Sequence, residues 1–153
     1  MTQSDHSPVE YSENIELLYS DSAKKQFKLK APVLQRFIED SSYVEFPKGL
    51  QVIIYDDNGE FESELTANYA IQLESEDKVI AKNDVVIINK FGEKLNTEHL
   101  WWDKQTAMIY SDQFVKITTK EEVIWGDGLE ADQNFTKYKI KNIKGIIEVK
   151  DDE

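Results

Sequence analysis

The chain has 153 residues, 18 basic against 30 acidic for a formal net charge of −12, and no cysteine. That length suits one domain with a buried core. The acidic balance, with Arg36 the sole arginine, argues against nucleic acid, which is gripped by Lys and Arg on phosphates, and the missing cysteines exclude disulfides, zinc knuckles and thiol chemistry.

Residues 1–14 are polar and lack a signal-peptide core. They read as a flexible leader to a single domain over 15–149, with 150–153 as a tail. Residues 15–19 alternate weakly before the turn cluster Ser20-Asp21-Ser22. Residues 26–31 place Phe27 and Leu29 against Lys28 and Lys30, the period-two signature of a half-buried strand. Pro32 cannot donate to a ladder, which puts it at a strand end or edge. Residues 33–40 (VLQRFIED) also suit a helix with Pro32 in its first turn, but the equivalent place in later repeats is extended, so a strand is expected.

Residues 43–46 form a short strand closed by Pro47-Lys48-Gly49, residues 50–55 are β-rich, and Asn58-Gly59 supplies the positive φ of a hairpin. Strands are expected at 61–67, 69–73, 79–81, 85–89, 94–97, 100–102, 107–110 and 114–118. Turns are expected at 74–78, 82–84, 103–105 and 111–113. Residues 123–125, 129–131, 137–140 and 146–149 complete the set, with Gly126-Asp127-Gly128 as a turn. The result is about fourteen strands of roughly 3 to 6 residues and no credible amphipathic helix. Such a pattern points to an all-β sandwich, barrel or jelly roll.

Two landmarks recur in fixed order. The first is Leu29, Leu65, Leu95 and Leu129, each with a small residue two positions on (Ala31, Ala67, Thr97, Ala131). The second is Val52/Ile54, Val86/Ile88, Val115/Ile117 and Ile147/Val149. The leucines are spaced by 36, 30 and 34 residues (65−29, 95−65, 129−95), and the second landmark follows the first by 23, 21, 20 and 18. A period of about thirty suggests one structural unit per copy of a stacked or coiled sheet. Lys116 must face water, so Val115 and Ile117 face inward. Aligning the copies then turns Val86 and Ile88 inward, together with Val52, Ile54, Ile147 and Val149.

Catalytic signals are sparse. His6 and His99 have no partner at metal-ligand spacing, and the nucleophile elbow, P-loop and dinucleotide fingerprint are missing. Asp127 and Asp132 are the most tempting acid pair, but thirty acids make chance proximity common. In Trp101-Trp102 adjacent strand residues face opposite sides, so at most one joins an interior. Lysines cluster in the first strands (Lys24, Lys25, Lys28, Lys30) and in the last (Lys137, Lys139, Lys141, Lys144). They either blunt exposed sheet edges or meet anionic partners.

The runs ENIELLYSDS (13–22), YVEFPKG (43–49), LTANYA (65–70), IYSD (109–112) and GDGLEAD (126–132) resemble the LptC family, in a form like those of Bacteroidetes. That family is the periplasmic, inner-membrane-attached component of lipopolysaccharide export. The resemblance covers residues 13–149. It implies a twisted, incomplete antiparallel β-jelly roll with an open apolar groove, a non-enzymatic and cofactor-free role, and periplasmic localisation at the inner membrane. It also implies partners: lipopolysaccharide, the inner-membrane ABC transporter that delivers it, and an LptA-like bridge protein joined by strand addition. The family's membrane anchor, a helix or a lipid-modified cysteine, has no match in this sequence.

The residues agree with that mechanism. Leu29, Leu65, Leu95 and Leu129 on one side and Val52, Ile54, Val86, Ile88, Val115, Ile117, Ile147 and Val149 on the other would line a groove for acyl chains, where apolar burial is worth about 25 cal/mol per Å². Edges at Phe27 and Lys28 and at Lys139, Ile140 and Ile146 would pair with neighbours. A carbohydrate-binding or adhesion sandwich showing Trp101, Trp125 or Tyr138 on a flat face, and a glycosidase-like enzyme, are the other classes this pattern allows.

Overall fold

The computed structural model describes residues 7–20 and 26–149; expectations placed on His6, Lys24, Lys25 and the 150–153 tail lie outside them. The described residues form twelve strands and no helix. These are β1 (Glu10–Ser20), β2 (Gln26–Ile38), β3 (Ser42–Phe46), β4 (Leu50–Tyr55), β5 (Phe61–Ala67), β6 (Tyr69–Leu73), β7 (Lys78–Asn89), β8 (Lys94–Asp103), β9 (Met108–Thr118), β10 (Glu122–Asp132), β11 (Tyr138–Ile140) and β12 (Ile143–Glu148). All belong to one antiparallel sheet. The chain is thus all-β with a jelly-roll character, and residues 33–38 extend β2 rather than start a helix. β1 already begins at Glu10, inside the polar stretch read as a leader.

Six strands, β1, β2, β7, β8, β9 and β10, are long, with 10 to 13 residues, because each turns a corner. β2 pairs with β4 through residues 26–30 and with β3 through residues 35–38. β7 pairs with β6 through residues 78–82 and with β5 through residues 86–89. Since β3 pairs with β6 and β4 with β5, the sheet divides into two walls that share their long strands. The first wall holds β4, β5 and the adjoining halves of β2 and β7; the second holds β3, β6 and the other halves. β8, β9 and β10 continue both walls.

The corner explains why more and shorter strands are expected from the sequence than the twelve observed. Residues 82–84, 111–113 and 126–128 look like turns because they carry Asn, Asp, Ser and Gly, yet they lie inside β7, β9 and β10. Their turn chemistry bends a strand instead of reversing it, as a bulge does. Asn83 and Asp84 (φ 68° and 53°) and Gly128 (φ 112°) supply left-handed backbone there. In β1 the same role falls to Asn14 (φ 51°), set in the register gap opposite Pro32. Ladder bonds lost at the bend are replaced by buried hydroxyls. Thr97 Oγ1 donates to the Phe114 carbonyl at 2.8 Å, and Ser111 Oγ to the His99 carbonyl at 2.7 Å.

On the first wall, inward residues meet strand by strand in one row: Leu17, Leu29, Val52, Leu65, Ile87, Leu95, Ile117 and Ile124. This row corrects the expected facing of residues 85–88. Val85 and Ile87 are buried at 0% and 1% exposure, while Val86 and Ile88 lie half-buried on the outer face. Lys116 did orient β9 as expected, with Val115 and Ile117 fully buried. The error was a one-residue slip in aligning an all-apolar run, which inverts every side chain. The true counterparts share one spacing, 85−65 = 20 and 115−95 = 20. Ile147 and Val149 are corrected too. Ile147 pairs with Val123 on the outer side of an edge strand, and Ile147 and Val149 are exposed, at 57% and 46%.

The row makes a testable distinction. Ile87→Ala should lower the unfolding free energy by about 2–5 kcal/mol, the range for truncating a fully buried isoleucine. Ile88→Ala, one position away, should cost clearly less. Equal losses for the two in denaturant titrations would mean that the register is wrong.

Candidate functional site

The walls face each other across the core, and at the N-terminal side they leave a cavity of about 660 Å³. Phe27, Leu29 and Val52 line it from the first wall, and Phe46, Val79 and Trp102 from the second. Strand alternation aims these side chains inward. Phe27 meets the Trp102 ring edge-on across the gap, with centroids 5.1 Å apart and planes at 78°. Trp102 keeps its indole N–H satisfied by donating to Gln133 Oε1 at 3.0 Å, so the ring presents an apolar surface without an orphaned donor.

The rim of the cavity is polar. Lys104 Nζ stands 3.4 Å from Asp77 Oδ1 and lies over the rings of Tyr19 and Trp102, at 5.8 and 5.9 Å from their centroids. Near the same rim Arg36 grips Glu74 with two parallel bonds of 3.1 Å. Burial, and then the negative charge of Glu74, raises the Tyr19 phenol above its usual range.

Toward the C-terminal strands the trough is filled. Phe135, fully buried at φ 55°, stacks on Tyr138 at 4.8 Å, and its carbonyl accepts from Asn89 Nδ2 at 2.7 Å. Asn89 also donates to Glu93 Oε1, and the Tyr138 hydroxyl donates to Glu93 Oε2 at 3.1 Å. This network ties the β10–β11 turn to the β7–β8 turn and plugs the space between the walls.

The groove residues expected from sequence therefore fall into four sets. Leu29 and Val52 line the cavity. Ile54, Leu65, Leu95, Val115, Ile117 and Leu129 are packed core. Val86 and Ile88 face outward, and Ile147 and Val149 sit exposed at the C-terminal edge. Leucines and valines do not oppose each other across a V, because Leu29, Val52, Leu65 and Leu95 are neighbours on one wall. Phe46, Val79 and Trp102 were missed as lining, although Leu100 and Trp102 alternate with polar His99 and Asp103 in a way that marks an inner face.

The expected edges are partly corrected. Phe27 and Lys28 lie in β2, an interior strand covered by β1 on one side and β4 on the other. The free N-terminal edge is β1, with Leu18 65% exposed. Lys139 and Ile140 in β11 and Ile146 in β12 do lie on edge strands.

The polar residues singled out in the sequence have structural partners. Asp127 pairs with Lys144 at 2.7 Å. Asp132 caps its turn by accepting from Thr136 and Lys137. Trp101 is on the outer face, stacked on Tyr110 at 5.6 Å. Among the described residues no group of three or more His, Cys, Asp or Glu is arranged to hold a metal ion, and no helix is long and apolar enough to cross a membrane.

Compared with known protein families, residues 2–148 match the family described as LptC: Lipopolysaccharide-assembly, LptC-related. No curated protein matches the chain.

The plug has a pH signature. Burial, then the bond to Glu93, pushes the Tyr138 phenol from 10.0 up to about 12. The folded state thus holds the proton more tightly than the unfolded chain. The stability this contributes is complete below pH 10 and is lost as pH rises toward about 12. Tyr138→Phe should therefore make the decline in denaturation midpoint between those pH values shallower than in the native chain. Identical slopes would count against the network.

Proposed function

The chain belongs to the LptC family of lipopolysaccharide-assembly proteins, and on that premise we propose that it is a non-enzymatic carrier and bridge in lipopolysaccharide transport. In this reading it works in the periplasm beside the inner membrane. It accepts lipopolysaccharide from the inner-membrane ABC transporter, shelters acyl chain in the space between its walls, and passes the lipid to an LptA-like bridge protein docked on a free strand edge.

The observation that carries the reading is the apolar cavity between Phe27 and Trp102, open at a polar rim. Its volume lies within the range of about 300–1,000 Å³ usual for small-molecule sites. Its apolar floor is continuous with the aliphatic row, so acyl chain entering there meets hydrocarbon on both walls.

The edges support the bridging half of the reading. Among the described residues, β1 and β12 carry unpaired backbone on their outer sides and exposed apolar side chains, among them Leu18 and Ile146. Such edges template strand addition. Just past β12 the Val149 N–H donates to the Glu121 carbonyl at 2.7 Å. Hydrogen-bonded pairs recur at every second residue of an antiparallel ladder. The Ile147 N–H is thus directed toward β10, and those of Ile146 and Glu148 toward the open side.

Photo-crosslinkers placed at Leu29 or Val52 in cells should capture lipopolysaccharide, and one at Ile88 on the outer face should not. Absence of adducts at every cavity position would sink the carrier reading. For docking, Glu148→Pro removes one donor from the open side of β12 and should reduce pull-down of a purified LptA-like protein, with the fold retained by circular dichroism. Undiminished pull-down by that folded variant would remove β12 as the docking edge.

A further inference from the structure

Among the described residues Lys104 is the only cation lining the cavity. It is also the least exposed of the ion-paired lysines among the described residues, with 20% of its side chain accessible. It sits in the β8–β9 turn, at the rim, where acyl chain inside the cavity would meet its headgroup. The ammonium has three donors, and Asp77 takes one at a long 3.4 Å. The faces of Tyr19 and Trp102 hold the charge over the opening by cation–π attraction.

We infer that Lys104 reads the phosphate of an amphiphile whose acyl chain occupies the cavity, making this rim a selectivity point for phosphorylated lipid. This rests on the carrier reading above. The surrounding charge favours it: on a chain of net charge −12 an anionic headgroup is repelled from most of the surface, and partly dehydrated Lys104 is its local counter-charge. Asp57, which also lines the cavity, comes from the first wall and disfavours an anion on that side. A phosphate is therefore directed to the second wall, where it shares Lys104 with Asp77. Charge-assisted bonds of this kind are about twice as strong as neutral ones.

The test compares two single-chain lipids of equal acyl length, a lysophosphatidic acid and a monoacylglycerol, bound below their aggregation limits and followed by tryptophan fluorescence. The native chain should prefer the phosphorylated lipid by about tenfold, the effect of one charged hydrogen bond. Lys104→Gln should erase the preference by weakening the phosphorylated lipid about tenfold more than the monoacylglycerol, and Lys94→Gln, remote from the cavity, should keep it. If both lipids bind equally to the native chain, or Lys104→Gln keeps the preference, this inference fails while the carrier reading stands. If neither lipid binds, the carrier reading itself fails. Inorganic phosphate should not displace the lipid at equal concentration. Displacement would overturn the inference in favour of a free-anion site.

Discussion

The inward aliphatic row of the first wall is the constraint on which the rest of the molecule depends. Eight strands contribute one residue each, from Leu17 on β1 to Ile124 on β10, and each meets its neighbours through the ladder. Burying such a side chain is worth about 1.5–3 kcal/mol, so a one-residue slip at any strand would lose several of these terms at once. The row fixes register across the sheet, and register in turn sets which residues of the second wall meet it. Phe27 faces Trp102 because it lies two positions from Leu29 on the same face of β2.

The same row shows what was legible in the sequence. The fold class and most strand positions follow from period-two patterns and turn residues, and Lys116 oriented β9 without help from tertiary structure. Residues 85–88 offered no polar position, so their facing depended on an alignment between copies, and that alignment slipped. Spacing from the preceding leucine would have corrected it, since Leu65 to Val85 and Leu95 to Val115 are equal. The long strands were illegible for a different reason: a corner and a hairpin turn use the same residues, Asn, Asp and Gly with positive φ. Only the pairing of β7 with both β5 and β6 distinguishes them.

The site was less legible than the fold. Periodicity marks a residue as inward but not whether the space before it is empty. Leu29 and Leu95 occupy equivalent places in their copies, yet Leu29 borders a cavity and Leu95 is sealed. The difference comes from elsewhere in the chain. Phe135, in the β10–β11 turn, fills the C-terminal half of the trough and has no counterpart at the N-terminal half among the described residues. Phe27 and Lys28 were similarly misjudged as an edge because β1 starts at Glu10, within a stretch whose composition resembles a leader.

The plug also sets what the trough can accept. Phe135 is held by stacking on Tyr138, by its carbonyl bond to Asn89 and by the Tyr138–Glu93 bond. Withdrawing it would expose a large aromatic ring and leave the buried Asn89 amide one partner short, and an unpaired buried polar group alone costs about 1–3 kcal/mol. At the other end the cavity is bounded by the Phe27–Trp102 contact and the Lys104 rim, which involve no buried backbone bond across the walls. In the carrier reading proposed above, hydrocarbon would therefore meet lower resistance from the β1 side than from the β11 side. The two ends of the trough differ in mechanics although the aliphatic row beneath them is continuous.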